Sequence, residues 1–101
     1  MDQDERKAIQ RLISQREWWA GQRTDIGTLV ADLIEQLVAF DRLFSDFSFE
    51  SEKGEISSAR DRRIGQISNL DGLRQKIDGR IADITTILQA RGVNTLDIPK
   101  G

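Results

Sequence analysis

Residues 9–47 of the chain read IQRLISQREWWAGQRTDIGTLVADLIEQLVAFDRLFSDF, and this stretch decides the fold. Steps of three and four residues, taken alternately from Ile9, select twelve positions, and ten of them are apolar. They are Ile9, Leu12, Arg16, Trp19, Arg23, Ile26, Val30, Leu33, Leu37, Phe40, Phe44 and Phe47. A mean spacing of 3.5 residues is typical of a helix with a narrow buried seam, as in coiled coils. We therefore predict one long helix over about residues 4–48.

The same spacing recurs in the second half of the chain. The seam positions there are Ile56, Arg60, Arg63, Ile67, Leu70, Arg74, Ile77, Ile81, Ile84 and Leu88. Between the two tracts, residues 49–54 place Gly54 among charged residues and serine, which predicts a loop. A second helix over about residues 55–91 should end on Gly92 in a left-handed cap. Residues 92–101 are expected to form an extended or disordered tail, because Pro99 cannot continue a helix.

These elements predict an all-α fold, an antiparallel coiled-coil helical hairpin that forms one domain over residues 1–91. Turn-prone sequence near Gly21 and Gly72 leaves a three- or four-helix bundle as an alternative, in which one or both helices break. The uninterrupted heptad phase favours two long helices. Since the chain carries more apolar positions than one seam uses, we expect assembly into a four-helix bundle or a larger oligomer.

The composition excludes several classes of function. The formal net charge is −2, so the molecule as a whole has no attraction for nucleic acid or anionic membranes. The sequence contains no His and no Cys, which removes the commonest general base and the usual zinc ligands. We expect no catalytic residue, no cofactor and no metal site. The polar N-terminus and the lack of a long apolar run predict a soluble cytoplasmic protein without a membrane partner.

Five arginines occupy seam positions, where an unpaired charge is costly: Arg16, Arg23, Arg60, Arg63 and Arg74. Their stems can cover apolar surface while their heads reach water or stack on phenylalanine. Alternatively, they form polar layers that fix the register and the oligomeric state. A third reading makes Arg60, Arg63 and Arg74 an anion-binding groove.

Small residues and tryptophans provide candidate contact surfaces. Gly65, Gly72 and Gly79 recur every seven residues on the side of the second helix opposite the seam. They form either a close-approach ridge for another helix or an open face that gives the helix flexibility. Trp18 and Trp19 are adjacent and point about 100° apart on a helix, so Trp18 projects beside the seam that Trp19 occupies. We predict that these five residues bind a partner, because Trp is favoured in interface hot spots.

Trp19-Ala20-Gly21, within a helical chain of about this length, resembles the secreted WxG proteins of specialised Gram-positive export systems. In that family the motif lies in the turn between the two helices, whereas here it falls inside the first tract. The family's Tyr-based C-terminal export signal also has no counterpart, because the chain contains no Tyr. These departures separate the chain from the family.

The sequence therefore predicts a non-enzymatic structural or adaptor protein that acts through coiled-coil self-association. Its expected partners are further copies of itself and another protein, whereas nucleic acid is not expected. The alternative is an oligomeric binding module whose arginine clusters hold an anionic small molecule or a nucleic-acid backbone.

Overall fold

The computed structural model describes residues 2–94 of the 101-residue chain and contains two long helices. The helix α1 covers Gln3–Asp46, and the helix α2 covers Glu50–Ala90. No strand occurs in the described residues. The prediction of an all-α fold with two long helices is confirmed. The helix α1 continues through Gly21 without a break, and α2 continues through Gly72. The bundle of three or four shorter helices is therefore excluded for residues 2–94.

Each of the outer helix ends carries a specific cap. The backbone N–H of Glu5 donates to Oδ1 of Asp2 at 2.7 Å, which satisfies one of the free amides that open α1. At the other end, Gly92 has a φ of 80°. The amide of Gly92 donates to the carbonyl of Gln89, and that of Val93 donates to the carbonyl of Leu88. This pair of bonds is a Schellman motif, so the predicted left-handed cap at Gly92 is confirmed.

The connection between the helices differs from the prediction. A loop was expected at residues 49–54, but only residues 47–49 are non-helical, and Gly54 lies inside α2. One helical glycine costs about 1 kcal/mol relative to alanine. Glu50 and Glu52 offset that cost in the first turn, where the helix dipole favours negative charge. The Nζ atom of Lys53 also lies 5.1 Å from the ring centre of Phe44, which links α2 to α1 beside the loop.

The contacts divide the chain into two compact units. Among the described residues, unit 1 contains residues 2–25 and 74–94, and unit 2 contains residues 26–73. Within unit 1 the start of α1 runs antiparallel to the end of α2. Its core is Ile9, Ile84 and Leu88, against which Leu12, Ile13, Trp19 and Val93 pack. The predicted tail lies mostly outside the described residues, which end at Asn94.

Unit 2 is the helical hairpin around the three-residue loop. Its seam side chains are mostly half-buried, and Ile26 is its one buried hydrophobic residue among those described. The low burial follows from geometry, because two helices cover only a narrow face of each other. Neither helix is long and apolar enough to cross a membrane over the residues described.

Substitution of two glycines tests the helix boundaries. Gly54→Ala should raise the free energy of unfolding by up to about 1 kcal/mol, because an added Cβ at this helical position meets open space. Gly92→Ala should lower it by about 1 kcal/mol, because alanine is strained at positive φ. Urea unfolding followed by circular dichroism measures both values. A loop at residue 54 would be indicated if Gly54→Ala gave no increase.

Candidate protein-interaction surface

Arg16 is the buried charge of unit 1, with only 6% of its surface exposed. Its Nε–H donates to Oγ1 of Thr85 at 2.8 Å, and the Thr85 hydroxyl donates to the carbonyl of Ile81 at 2.7 Å. The guanidinium of α1 is thus joined to the backbone of α2 through one hydroxyl. No buried side-chain nitrogen or oxygen atom in residues 2–94 lacks a hydrogen-bond partner. Arg16 therefore occupies a core position as part of a satisfied polar contact.

Three further seam arginines reach the opposite helix through Nε. In unit 1, Arg23 forms an ion pair with Asp78. In unit 2, the Nε of Arg60 lies 2.8 Å from Oδ1 of Asp41. These two ion pairs are partly exposed, so each contributes at most about 1 kcal/mol to stability. The contacts are nevertheless specific, because each joins one residue of α1 to one residue of α2.

Arg63 combines two of the roles that the sequence suggested for these arginines. Its Nε–H donates to Oε1 of Gln36 at 2.7 Å, and its guanidinium carbon lies 5.8 Å from the ring centre of Phe40. The pairing of Arg63 with Phe40 agrees with the predicted stacking of arginine on phenylalanine. Arg60 bonds to Asp41 rather than stacking on a phenylalanine, and the ring of Phe44 is approached by Lys53.

The arginines of the suggested anion groove are engaged within the chain. Arg60 and Arg63 donate to Asp41 and Gln36, and Arg74 is half-buried and also has an interaction partner. Arg60 and Arg63 reach different acceptors on α1, and their Nε–H groups are already used. This occupancy weighs against the anion-binding reading.

We also find no cluster of three or more carboxylates suited to a metal ion within residues 2–94.

The tryptophan pair lies on the first helix of unit 1, with its two rings in T-shaped contact and their centroids 4.7 Å apart. Trp19 packs against the hydrophobic core of unit 1, as its seam position predicts. Trp18 remains 57% exposed beside it. Trp19 is therefore used within the chain, and Trp18 is the one of the two that offers a large apolar surface to a partner.

The glycines that were predicted as a contact ridge lie in open space. Gly65, Gly72 and Gly79 are exposed on α2, and a Cβ built on any of them has no neighbour within 4 Å. None of the three is required for a close approach within the chain.

Most of the exposed large hydrophobic side chains of the described residues belong to unit 2, where they lie on more than one side of the hairpin. Eleven large hydrophobic side chains are exposed in residues 2–94, and nine of them lie between Leu29 and Leu73. The nine are Leu29, Ile34, Val38, Leu43, Phe44, Phe47, Phe49, Ile64 and Leu73. Exposed apolar surface of this extent marks interaction sites in proteins. We take this surface of unit 2 as the candidate site.

An open groove of about 460 Å³ runs along one side of unit 2. Its lining consists of Leu29, Asp32, Leu33 and Gln36 from α1, and of Gln66, Asn69 and Leu70 from α2. Three of these lining residues are leucines, three carry side-chain amides and one carries a carboxylate. A surface that combines apolar side chains with neutral polar ones is typical of sites that bind another protein.

The acceptors of the arginine contacts are the site residues that the sequence pattern did not reveal. Asp41, Asp78 and Thr85 follow a seam position by one residue, and Gln36 precedes the seam position Leu37. Residues that flank a seam are where charged partners are found in coiled coils. A search of these flanking positions for acceptors would have identified candidates, although not their pairing.

Comparisons of the chain with protein-family models, with curated proteins and with solved structures found no match.

The contact between Arg16 and Thr85 can be tested by removing the hydroxyl. Thr85→Val should lower the free energy of unfolding by about 1–3 kcal/mol, because a buried guanidinium N–H loses its acceptor. Adding Arg16→Leu to that variant should restore part of the loss, because the buried charge is then removed as well. The neighbouring Thr86 is exposed and bonds only to its own helix, so Thr86→Val should change stability by less than about 0.5 kcal/mol. Equal effects at residues 85 and 86 in urea unfolding would contradict the assignment.

The glycine face can be tested by adding three methyl groups. Replacing Gly65, Gly72 and Gly79 by Ala should raise the free energy of unfolding by up to about 3 kcal/mol, because each Cβ enters open space on a helix. Thermal unfolding measures the gain, and light scattering should show an unchanged mass. Ser68→Ala, exposed on the same helix face between Gly65 and Gly72, serves as a control that changes this face without adding a Cβ. A lower mass of the triple variant alone would instead assign these glycines to an interface.

Proposed function

We propose that this chain is a non-enzymatic structural or adaptor protein that acts by self-association and by contact with other proteins. The observation that carries the proposal is the exposed apolar surface of unit 2. Nine large hydrophobic side chains are exposed there, whereas one hydrophobic residue of the described part of unit 2 is buried. Burial of apolar side chains contributes about 25 cal/mol per Å², so association that covers this surface is favourable.

Trp18 supports the second part of the proposal, contact with another protein. Its exposed ring is held in place by edge contact with Trp19, which is itself packed on the core. A rigid aromatic side chain loses little conformational freedom on binding, and tryptophan is enriched among residues that dominate binding energy. Trp18 is therefore our candidate for the partner contact in unit 1.

The alternative function, binding of an anion or a nucleic-acid backbone, has less support. It requires guanidinium groups that are free to converge on a ligand, whereas the arginines considered for it already contact α1 or other groups of the chain. The net charge of −2 also opposes binding to a polyanion.

Mass in solution tests the proposed function. Sedimentation equilibrium of the full chain at micromolar concentration should give a mass at least twice the 11.5 kDa of one chain. Raising the salt from about 50 to 500 mM should leave the association nearly unchanged, because apolar packing is not screened by ions. A strict monomer at micromolar concentration would contradict self-association. Binding of a DNA or RNA oligonucleotide that weakens steeply with salt would support the alternative.

A further inference from the structure

The groove of unit 2 lies between two stripes of side chains that repeat every seven residues. On α1 the stripe is Leu29, Gln36 and Leu43, and on α2 it is Ala59, Gln66 and Leu73. Leu29, Gln36 and Gln66 all line the groove, so the two stripes lie on the same side of the hairpin. We call these six residues the leucine–glutamine face.

The antiparallel register aligns the two stripes into three layers. Gln36 and Gln66 line the same groove and form the middle layer. Seven residues before Gln36 on α1, Leu29 lies level with Leu73 of α2. Seven residues after Gln36, Leu43 lies level with Ala59. The three leucines are 52%, 43% and 46% exposed for Leu29, Leu43 and Leu73, respectively. Each outer layer is thus apolar, and the middle layer consists of amides.

Taking the proposed function as its basis, we propose that the leucine–glutamine face binds the same face of a second copy of this chain, about a two-fold axis parallel to the helices. The α1 stripe of each copy then lies on the α2 stripe of the other, at the same level. Leucine meets leucine in the layer of Leu29 and Leu73, and glutamine meets glutamine in the middle layer. The face is self-complementary, as a two-fold interface requires.

The middle layer supplies polar specificity. The Nε–H of Arg63 donates to Oε1 of Gln36, which directs the amide NH₂ of Gln36 away from its own seam. That NH₂ needs an acceptor when the face is covered, and the side-chain oxygen of Gln66 in the second copy provides one. A layer of paired amides between apolar layers fixes register, as buried polar residues do in coiled coils.

The packing of the layers favours this orientation over the reverse one. Between the outer layers, the rim of α1 carries Asp32 and Ala39, while the rim of α2 carries Arg62 and Asn69. With the axis parallel to the helices, Asp32 of each copy lies level with the side-chain amide of Asn69 of the other copy, and Ala39 lies level with Arg62. An axis perpendicular to the helices would place α1 on α1, so that Asp32 faces Ala39 and Leu73 faces Ala59. The contact of Leu29 with Leu73 and the polar pair of Asp32 with Asn69 therefore favour the first arrangement.

The other side of unit 2 is less suited to the same contact. There, Arg60 crosses from α2 to Asp41 of α1, so a partly exposed ion pair occupies the space between the helices. Covering that side would remove water from two charged groups that are now hydrated, which is costly. Ile34 and Ile64 lie on that side, at exposures of 51% and 41%. They therefore provide matched controls for Leu29 and Leu73.

Dimer dissociation constants of four serine variants test which face is used. Leu29→Ser and Leu73→Ser should each weaken the dimer by about tenfold or more in sedimentation equilibrium, as truncation of central interface residues does. Ile34→Ser and Ile64→Ser should change it by less than about threefold. Circular dichroism confirms that the helices persist. If the isoleucine variants weaken the dimer and the leucine variants do not, the face is wrong and the proposed function stands. A monomeric native chain overturns both.

The orientation has a separate test that needs no disruption of the interface. The chain contains no Cys, so a spin label at Ser48→Cys, in the loop, is unique. In the proposed dimer both loops lie at the same end, about 20 Å apart, the width of two helices. With the perpendicular axis through the glutamine layer, the labels would be separated by about 35 Å or more along the helices, at 1.5 Å per residue. Electron–electron double resonance measures this distance, and the longer value would overturn the proposed axis.

Discussion

Arginine at the seam between two helices constrains how those helices pair, because a guanidinium that is removed from water needs acceptors nearby. Arg16 and Arg23 of α1 donate to α2, while Arg60 and Arg63 of α2 donate to α1. Each arginine donates to one specific acceptor residue on the opposite helix. A purely apolar seam with a seven-residue repeat tolerates a slip of one heptad, but such a slip would separate all four contacts. Polar groups therefore specify the pairing that apolar groups stabilise.

The same arginines limit the size of the core. They occupy seam positions that would otherwise hold leucine or isoleucine, and large apolar residues such as Leu29, Ile34 and Leu43 flank the seam instead. Those flanking residues stay exposed, because a pair of helices buries only the side chains that point directly between them. The placement of arginine at the seam and of apolar residues beside it therefore has two results. The register of the helices is fixed by polar contacts, and an apolar surface remains uncovered.

Spacing alone predicted most of the fold. All ten seam positions assigned to α2 are at least half-buried, because the period of 3.5 residues follows directly from helix geometry. The loop was misplaced since Gly54 and its neighbours have turn propensity, which the favourable start of α2 at Glu50 outweighs. The arginine acceptors were missed because pairing depends on the relative rotation of two helices, which the pattern of one helix does not contain. The open space around Gly65 and Gly72 required coordinates for the same reason.

In the proposed dimer, the arginine contacts would also lower the cost of binding the second copy. Because Arg60 and Arg63 hold α2 in register with α1, the layers of the leucine–glutamine face are aligned before any association occurs. Arg63 further restricts the amide of Gln36, which then has fewer rotamers to lose. Preorganisation of this kind increases affinity by reducing the entropy lost on binding. The contacts that join the two helices internally would thus also shape the surface that we propose for self-association.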